Sequence, residues 1–402
     1  MSKLNFNSDS KHSIASRLAL MLITLTTVLL NSHYLGEEGL GSIALLQFGL
    51  LLVTGLAGFV AAGAVVYVRR SHTPKDIRGI AYLWCVLSAF AASNLGVSIG
   101  AIPDEWLWDA AFLGFLQSIV IFHSQLLIAS GKIREHNILF LVQAAVILAN
   151  VAFAYLVKGE ATPEGFADAL SVSFLVTVIA TFVLLKGSWH DAPTVKAEGD
   201  VSKKLFVNGA QGQTGSILQL LTNRSNLSLL ENFVGSAGAG VYSVVYYGAE
   251  AVWTVARALA PMVNNEVART SDSKEAHTIT LGYLKKTLSL TLPLVLLACL
   301  VPESIYSWVF GINGIALPLR FLAPGMIAGS VSSIIAHHLS GVGLHKWNAL
   351  TSGLALLVLI GVGLKIIPSM GVCGAAIAAS CAYSAQALGL IWVWSRLNRG
   401  VN

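Results

Sequence analysis

Leu35-Gly36-Glu37-Glu38-Gly39-Leu40-Gly41 and Val234-Gly235-Ser236-Ala237-Gly238-Ala239-Gly240 share the pattern G-x-x-G-x-G, with Gly36 and Gly235 199 residues apart. Each stretch stands between two long apolar runs. Each is followed by an apolar run that ends in arginine, Arg70 in one case and Arg269 in the other, again 199 apart. A dinucleotide-binding loop carries this pattern only where a strand precedes it, and no strand-like segment precedes either copy. Glycine here permits a tight turn and a close approach of two helices. Two copies at equal spacing and equal position point to a duplicated chain.

Composition sets what is duplicated. The 402 residues are 55% hydrophobic and 11% charged, with a mean hydropathy of +0.71. Soluble domains carry roughly 25% charged residues, so no water-soluble surface can be built from this chain. A spanning helix needs about 20 apolar residues. Twelve runs qualify, at 14–34, 41–68, 77–100, 106–130, 137–158, 166–187, 204–228, 238–265, 283–302, 317–340, 348–368 and 371–395. They are too long and too uniformly apolar for barrel strands. The first run is too long for a signal peptide and is expected to be retained as a helix.

Loop charge orients the runs. With the N-terminus inside, all Lys and Arg residues except Lys158, Arg224, Arg257, Arg320 and Lys365 fall on cytoplasmic ends and loops. The opposite loops carry Glu37, Glu38, Asp104, Glu105, Glu160, Glu164, Glu231 and Glu303. Both termini are therefore expected in the cytoplasm. The pI near 9.0 follows from this topology, and no nucleic-acid surface is implied.

The longest polar stretch, from Ser188 to Lys204, divides the runs six and six. The expected organisation is a six-helix lobe over 1–187, a cytoplasmic linker over 188–203 and a second six-helix lobe over 204–402. A weaker echo pairs Ser130-Gly131-Lys132 with Ser340-Gly341. An even number of helices per half makes the repeat parallel, with its axis along the membrane normal. Transporters built this way bind between their halves. The four cysteines, Cys85, Cys299, Cys373 and Cys381, lie in apolar runs with no metal or redox spacing.

These features resemble the polysaccharide flippases, the Wzx-type O-antigen transporters of the multidrug/oligosaccharidyl-lipid/polysaccharide superfamily. The likeness is carried by the Leu35–Gly41 stretch, by Leu229 to Ser243 around the second glycine motif, and by Gly371-Val372-Cys373-Gly374, which opens the twelfth run. It covers nearly the whole chain in order and spacing. Members often place an acid just before the arginine near the end of the seventh helix. Here that pair is Asn223-Arg224. The resemblance implies an all-α, two-lobed, MATE-like bundle in the bacterial inner membrane. It implies a transporter, not an enzyme, that moves an undecaprenyl-pyrophosphate-linked oligosaccharide to the outer leaflet by alternating access. No cofactor is implied, and the coupling ion would be H+ or Na+. Partners would be the lipid-linked oligosaccharide, membrane lipids, a polysaccharide polymerase and a chain-length regulator. A multidrug extruder and a lipid II flippase are the neighbouring alternatives.

A polar cargo needs charge and aromatic surface inside the membrane, where an ionised side chain costs about 2.5–3.5 kcal/mol to insert. In the eighth run, Tyr242, Tyr246, Glu250, Trp253 and Arg257 fall within about 80° on a helical wheel. Arg257 suits a phosphate or acidic sugar, the aromatics suit sugar rings, and Glu250 suits a coupling ion. An internal Glu–Arg pair is the plainer reading. The seventh run carries Asn208, Gln211, Gly212, Gly215, Gln219, Asn223 and Asn226 on one stripe, which fits a wet surface or interhelical hydrogen bonds. Arg224 lies off this stripe near the outer end, within reach of headgroups. Arg17, Thr24 and Asn31 form a lesser stripe, with Arg17 read as an interface anchor. His123, His337 and His338 are expected to be hydrogen-bonded structural residues, and Arg320 stands near the outer face.

Overall fold

The computed structural model describes the backbone of residues 8–189, 191–193, 195, 199–270 and 272–399, and the side chains of these residues except 8–18, 211, 398 and 399. The side chains of Arg17 and Gln211 and part of the expected linker therefore lie outside what is described. Among the described residues there are twelve α-helices and no strand. They are α1 (Ser8–Ala61), α2 (Gly63–Val68), α3 (Pro74–Ser98), α4 (Leu107–Ala129), α5 (Ile133–Ala152), α6 (Pro163–Leu185), α7 (Val201–Val234), α8 (Ser236–Val267), α9 (Ser273–Leu300), α10 (Glu303–Phe310), α11 (Ala316–Gly341) and α12 (His345–Arg399).

Two of these helices each make two crossings. α1 bends at Gly36 (φ 66°, ψ −167°) and α12 at Gly371 (φ 53°, ψ −129°). With α3 to α9 and α11, the bent pair gives twelve spanning segments that match the twelve apolar runs. α2 continues the second run, and α10 is a short helix between the ninth and tenth. Among the described residues, eight helical stretches are long and apolar enough to be recognised as spans from hydropathy. α7 and α8 are not among them, although their 34 and 32 residues reach about 50 Å. Their polar faces lower their hydropathy.

The glycine motifs explain the bends. Gly36 and Gly235 (φ 89°, ψ 177°) adopt a backbone conformation that only glycine enters readily. The third glycine of each motif has a different task. A Cβ on Gly41 would lie 1.8 Å from the carbonyl oxygen of Ser236, and a Cβ on Gly240 would lie 1.9 Å from that of Glu37. Adding 199 to either pair's first-half residue gives its second-half counterpart. The two motifs thus make the same contact in both directions, as a two-fold axis requires. The Gly371–Gly374 stretch works similarly, because a Cβ on Gly374 would meet the Ile366 carbonyl at 2.8 Å.

The second echo needs correction. Gly341 is the last residue of α11 and is helical, whereas Gly343 takes the positive φ (79°) that Gly131 takes after α4 (76°). Both turns are Schellman closures, with Lys132 N donating to Leu127 O and Leu344 N to Leu339 O. The equivalent glycines are Gly131 and Gly343, displaced by two residues from the sequence pairing.

The chain forms two compact units. One comprises residues 1–35 and 45–213, the other 36–44 and 214–402. The first is centred on Val60, Val65, Ile77, Phe122, Leu126 and Leu205. In it, Arg69 is buried and donates to the carbonyls of Asp191 (3.1 Å) and Ala192 (3.3 Å), which fastens the segment after α6 to the end of α2. The second is centred on Ala260, Val263, Ile334, Ile335, Leu339 and Leu390.

Each unit contains a buried histidine clamp. The Thr181 hydroxyl donates to Val178 O, so it accepts from His123 Nδ1 (2.6 Å), and His123 Nε2 accepts from Tyr82 (2.8 Å). In the other unit the Thr280 hydroxyl donates to Ala276 O and accepts from His338 Nδ1 (2.7 Å). These are the structural histidines that the sequence suggests. His337 likewise donates Nδ1–H to Ser333 O at 2.9 Å. Arg320 donates Nε–H to Cys299 O (2.9 Å) and ties α11 to the end of α9.

Candidate functional site

All seven site residues taken from the sequence lie in the second unit, on α7 and α8. The face of α8 is graded along its length. Tyr242, nearest the glycine motif, is fully buried and accepts a hydrogen bond from Asn226 Nδ2 (2.8 Å). The same nitrogen reaches Ala375 O at 3.0 Å. That end of the stripe is therefore closed by interhelical hydrogen bonds. Asn31, in the other unit, is closed in the same way by Tyr155 (3.0 Å), while Thr24 is exposed.

One turn further, three ionised groups meet. Glu250 Oε2 lies 3.7 Å from Arg224 Nη2, and Glu250 Oε1 lies 3.4 Å from Arg257 Nη2. Side-chain exposure rises across the trio, from 16% at Arg224 to 27% at Glu250 and 51% at Arg257. Arg224 does not extend to headgroups. Its guanidinium sits 4.2 Å from the Tyr246 ring centroid and 5.9 Å from that of Tyr247. A planar cation between an aromatic face and a carboxylate is stabilised where the surroundings are dry, so burial here outweighs the reach to the interface. Two cations share one carboxylate, which leaves the trio with one surplus positive charge.

Trp253 is nearly fully buried. Its Nε1–H donates to Met326 O (2.9 Å), and its ring meets Tyr246 (5.8 Å, 70°) and Tyr383 (5.0 Å, 80°) edge to face. Gly329 makes room for it, since a Cβ there would come within 2.7 Å of Trp253 Nε1. The indole thus forms a wall, with little free ring face.

Beyond this wall lies a cavity of about 220 Å³. Arg257 and Asn223 border it, together with Ser332, His337, Tyr383 and Gln386. Gln219 and Asn223 are tied into a network. Gln219 Nε2 donates to Asn223 Oδ1 (3.0 Å), which also accepts from Tyr383 (3.2 Å). Gln219 Oε1 accepts from Ser352 (3.2 Å) and from Gln386, whose amide also donates to Ser352 at 3.0 Å. Ser332 differs. It is 5% exposed, and its hydroxyl has no hydrogen-bond partner.

Sequence reading missed Ser332, Ser352, Tyr383 and Gln386, which come from α11 and α12. Tyr383 and Gln386 are three apart in a stretch otherwise rich in alanine, and that spacing was the available signal. Among the described residues, no group of three or more His, Cys, Asp or Glu is placed to hold a metal ion.

No protein-family model matches the sequence, and no curated protein matches it. Solved structures do match the fold. A multidrug resistance MATE family transporter of the MOP superfamily, in an inward-facing conformation, superposes with a TM-score of 0.74 at 14% identity, over 96% of this chain and 98% of that one. The lipid II flippase MurJ, in an inward closed conformation, gives 0.72 at 16% identity over 95% and 87%. A MOP superfamily transporter from Pyrococcus furiosus, described as having a binding pocket of reverse polarity, gives 0.62 at 14% identity over 96% and 94%. This multi-pass membrane protein therefore has a fold like that of the MATE transporter and the lipid II flippase MurJ.

Proposed function

We propose that the protein is a flippase for an undecaprenyl-pyrophosphate-linked oligosaccharide, the repeat unit of an O-antigen or other surface polysaccharide. It works by alternating access in the bacterial inner membrane, with both termini in the cytoplasm. The observation that supports this reading is the Arg224–Glu250–Arg257 trio. Two guanidiniums around one carboxylate favour an anionic cargo. A carrier of organic cations needs the opposite excess. The amide and hydroxyl groups of Gln219, Asn223, Tyr383 and Gln386 beside the trio suit a hydrated glycan. H+ or Na+ drives the cycle, and a polymerase and chain-length regulator take up the product.

A deletion strain tests this reading. Loss of surface polysaccharide, accumulation of its lipid-linked precursor and rescue by the wild-type gene, with Arg257→Ala failing to rescue, is the expected result. Normal surface glycan with raised drug sensitivity would instead identify an extruder. Accumulated lipid II with cell lysis would identify a peptidoglycan precursor as the cargo.

A further inference from the structure

The trio is asymmetric, and the asymmetry has a direction. Arg224 is held on three sides, by the Tyr246 ring, the Tyr247 ring and Glu250. Arg257 has one polar partner among the described residues, Glu250 at 3.4 Å. Hydrogen bonds between charged groups normally close to about 2.7–2.9 Å, so this is a loose pair. Glu250 and Arg257 are also seven residues apart, about 10 Å along the helix axis. Both side chains must lean toward each other to meet. The other side of Arg257 borders the 220 Å³ cavity, where the buried Ser332 hydroxyl lacks a partner.

We propose that Glu250 is the resting occupant of an anion seat. Its carboxylate, held by Arg224, occupies Arg257, the cation that the anionic group of the cargo later takes. An arriving phosphate or carboxylate draws Arg257 away from Glu250 and takes the Ser332 hydroxyl as a second donor. Arg224, fixed by its tyrosines, keeps Glu250 in place meanwhile. When the cargo leaves, Glu250 recaptures Arg257. Glu250 thus competes with the cargo, keeping its binding weak enough for release. It is a positioning residue acting through Arg257. This inference rests on the flippase reading for the identity of the cargo. The competition itself requires only an anion.

The test separates the two claims. Purified protein in nanodiscs is equilibrated with radiolabelled inorganic pyrophosphate, and affinity is compared across variants. Removing the competitor with Glu250→Gln should tighten binding roughly tenfold or more, and Arg257→Gln should weaken it by a similar factor. Ser332→Ala should weaken it by severalfold, and Glu250→Asp should fall between wild type and Glu250→Gln. In proteoliposomes carrying a fluorescent undecaprenyl-pyrophosphate-linked trisaccharide, Glu250→Gln should lower both the apparent KM and the maximal rate. An ion pair that only braces α7 against α8 gives a different pattern. Both Glu250→Gln and Arg257→Gln would then lower thermal stability and maximal rate, with pyrophosphate affinity in Glu250→Gln unchanged or weaker, and that result overturns the proposal. Tighter pyrophosphate binding in Glu250→Gln without trisaccharide transport by wild type would keep the anion seat and reject the flippase reading.

Discussion

Replacing Gly41 by alanine places a methyl group where the second glycine motif already has backbone. The new Cβ would lie 1.8 Å from Ser236 O and 2.6 Å from Ser236 C. Ordinary contact begins near 3.4 Å, so the segments must part by about 1.5 Å. A carbonyl in a helix cannot rotate away as a side chain can. Overpacking typically costs about 1–3 kcal/mol, and this contact belongs at the upper end, about 3 kcal/mol. Gly240→Ala makes the mirror-image clash, 1.9 Å from Glu37 O, and should cost the same. The double variant tests the geometry most sharply. Once the segments have parted for one methyl, the second fits the same gap, so the pair should cost about 3–4 kcal/mol and not about 6. The assay is unfolding of the purified protein by SDS titration in mixed micelles. Gly79→Ala serves as control, because its Cβ meets nothing within 4 Å, and stability should hold or rise slightly. Strict additivity, or single variants that differ by more than about 1 kcal/mol, would refute a shared two-fold contact.

Two further outcomes concern elements outside the trio. Glu303 accepts from the backbone N–H of Gly314 (2.7 Å), Ile315 (3.1 Å) and Ala316 (2.7 Å), which caps the start of α11. Glu303→Ala should lower stability by about 2 kcal/mol in the same titration, and an unchanged midpoint would mean that water replaces the cap at no cost. His123→Phe keeps the volume of the ring but leaves the Tyr82 hydroxyl without its acceptor. A loss of about 1–3 kcal/mol with transport per folded molecule retained is expected, whereas a stable but inactive variant would show that His123 belongs to the transport machinery.

The twelve crossings were legible because lipid imposes one strong requirement on every span, and the length of each apolar run reports it directly. The glycine repeat was legible for a related reason. Gly36 and Gly235 carry conformations that other residues avoid, and Gly41 and Gly240 carry contacts that any Cβ blocks, so backbone geometry writes itself into residue type. The offset of Gly343 from Gly341 shows the limit. A local shift of two residues is invisible when the flanking residues are small and apolar, and only the Schellman bonds locate the turn. In the candidate site, the helical wheel placed Tyr246, Glu250, Trp253 and Arg257 together because they share one helix. It had no means of bringing Ser332, Ser352, Tyr383 and Gln386 to the same place, since pairing between distant helices leaves no periodic trace. Arg224 was placed on the correct helix, yet its direction depends on Tyr246 and Glu250 of the next one.

Residues 36–44 belong to the unit otherwise formed by residues 214–402. A ribosome adds about 5–20 residues per second. The first glycine motif is therefore made some 10–40 seconds before the second exists to receive it. Through that interval Gly41 and its neighbours are without their partner. The polar stretch at 188–203 looks like a natural place to divide the gene, but a fragment starting there lacks nine residues of its own compact unit. Separately expressed halves should recover the fold only when both are present in the same membrane, and a cut placed beyond Ala44 and moved to the other side of Gly36 would shift which half carries the missing piece.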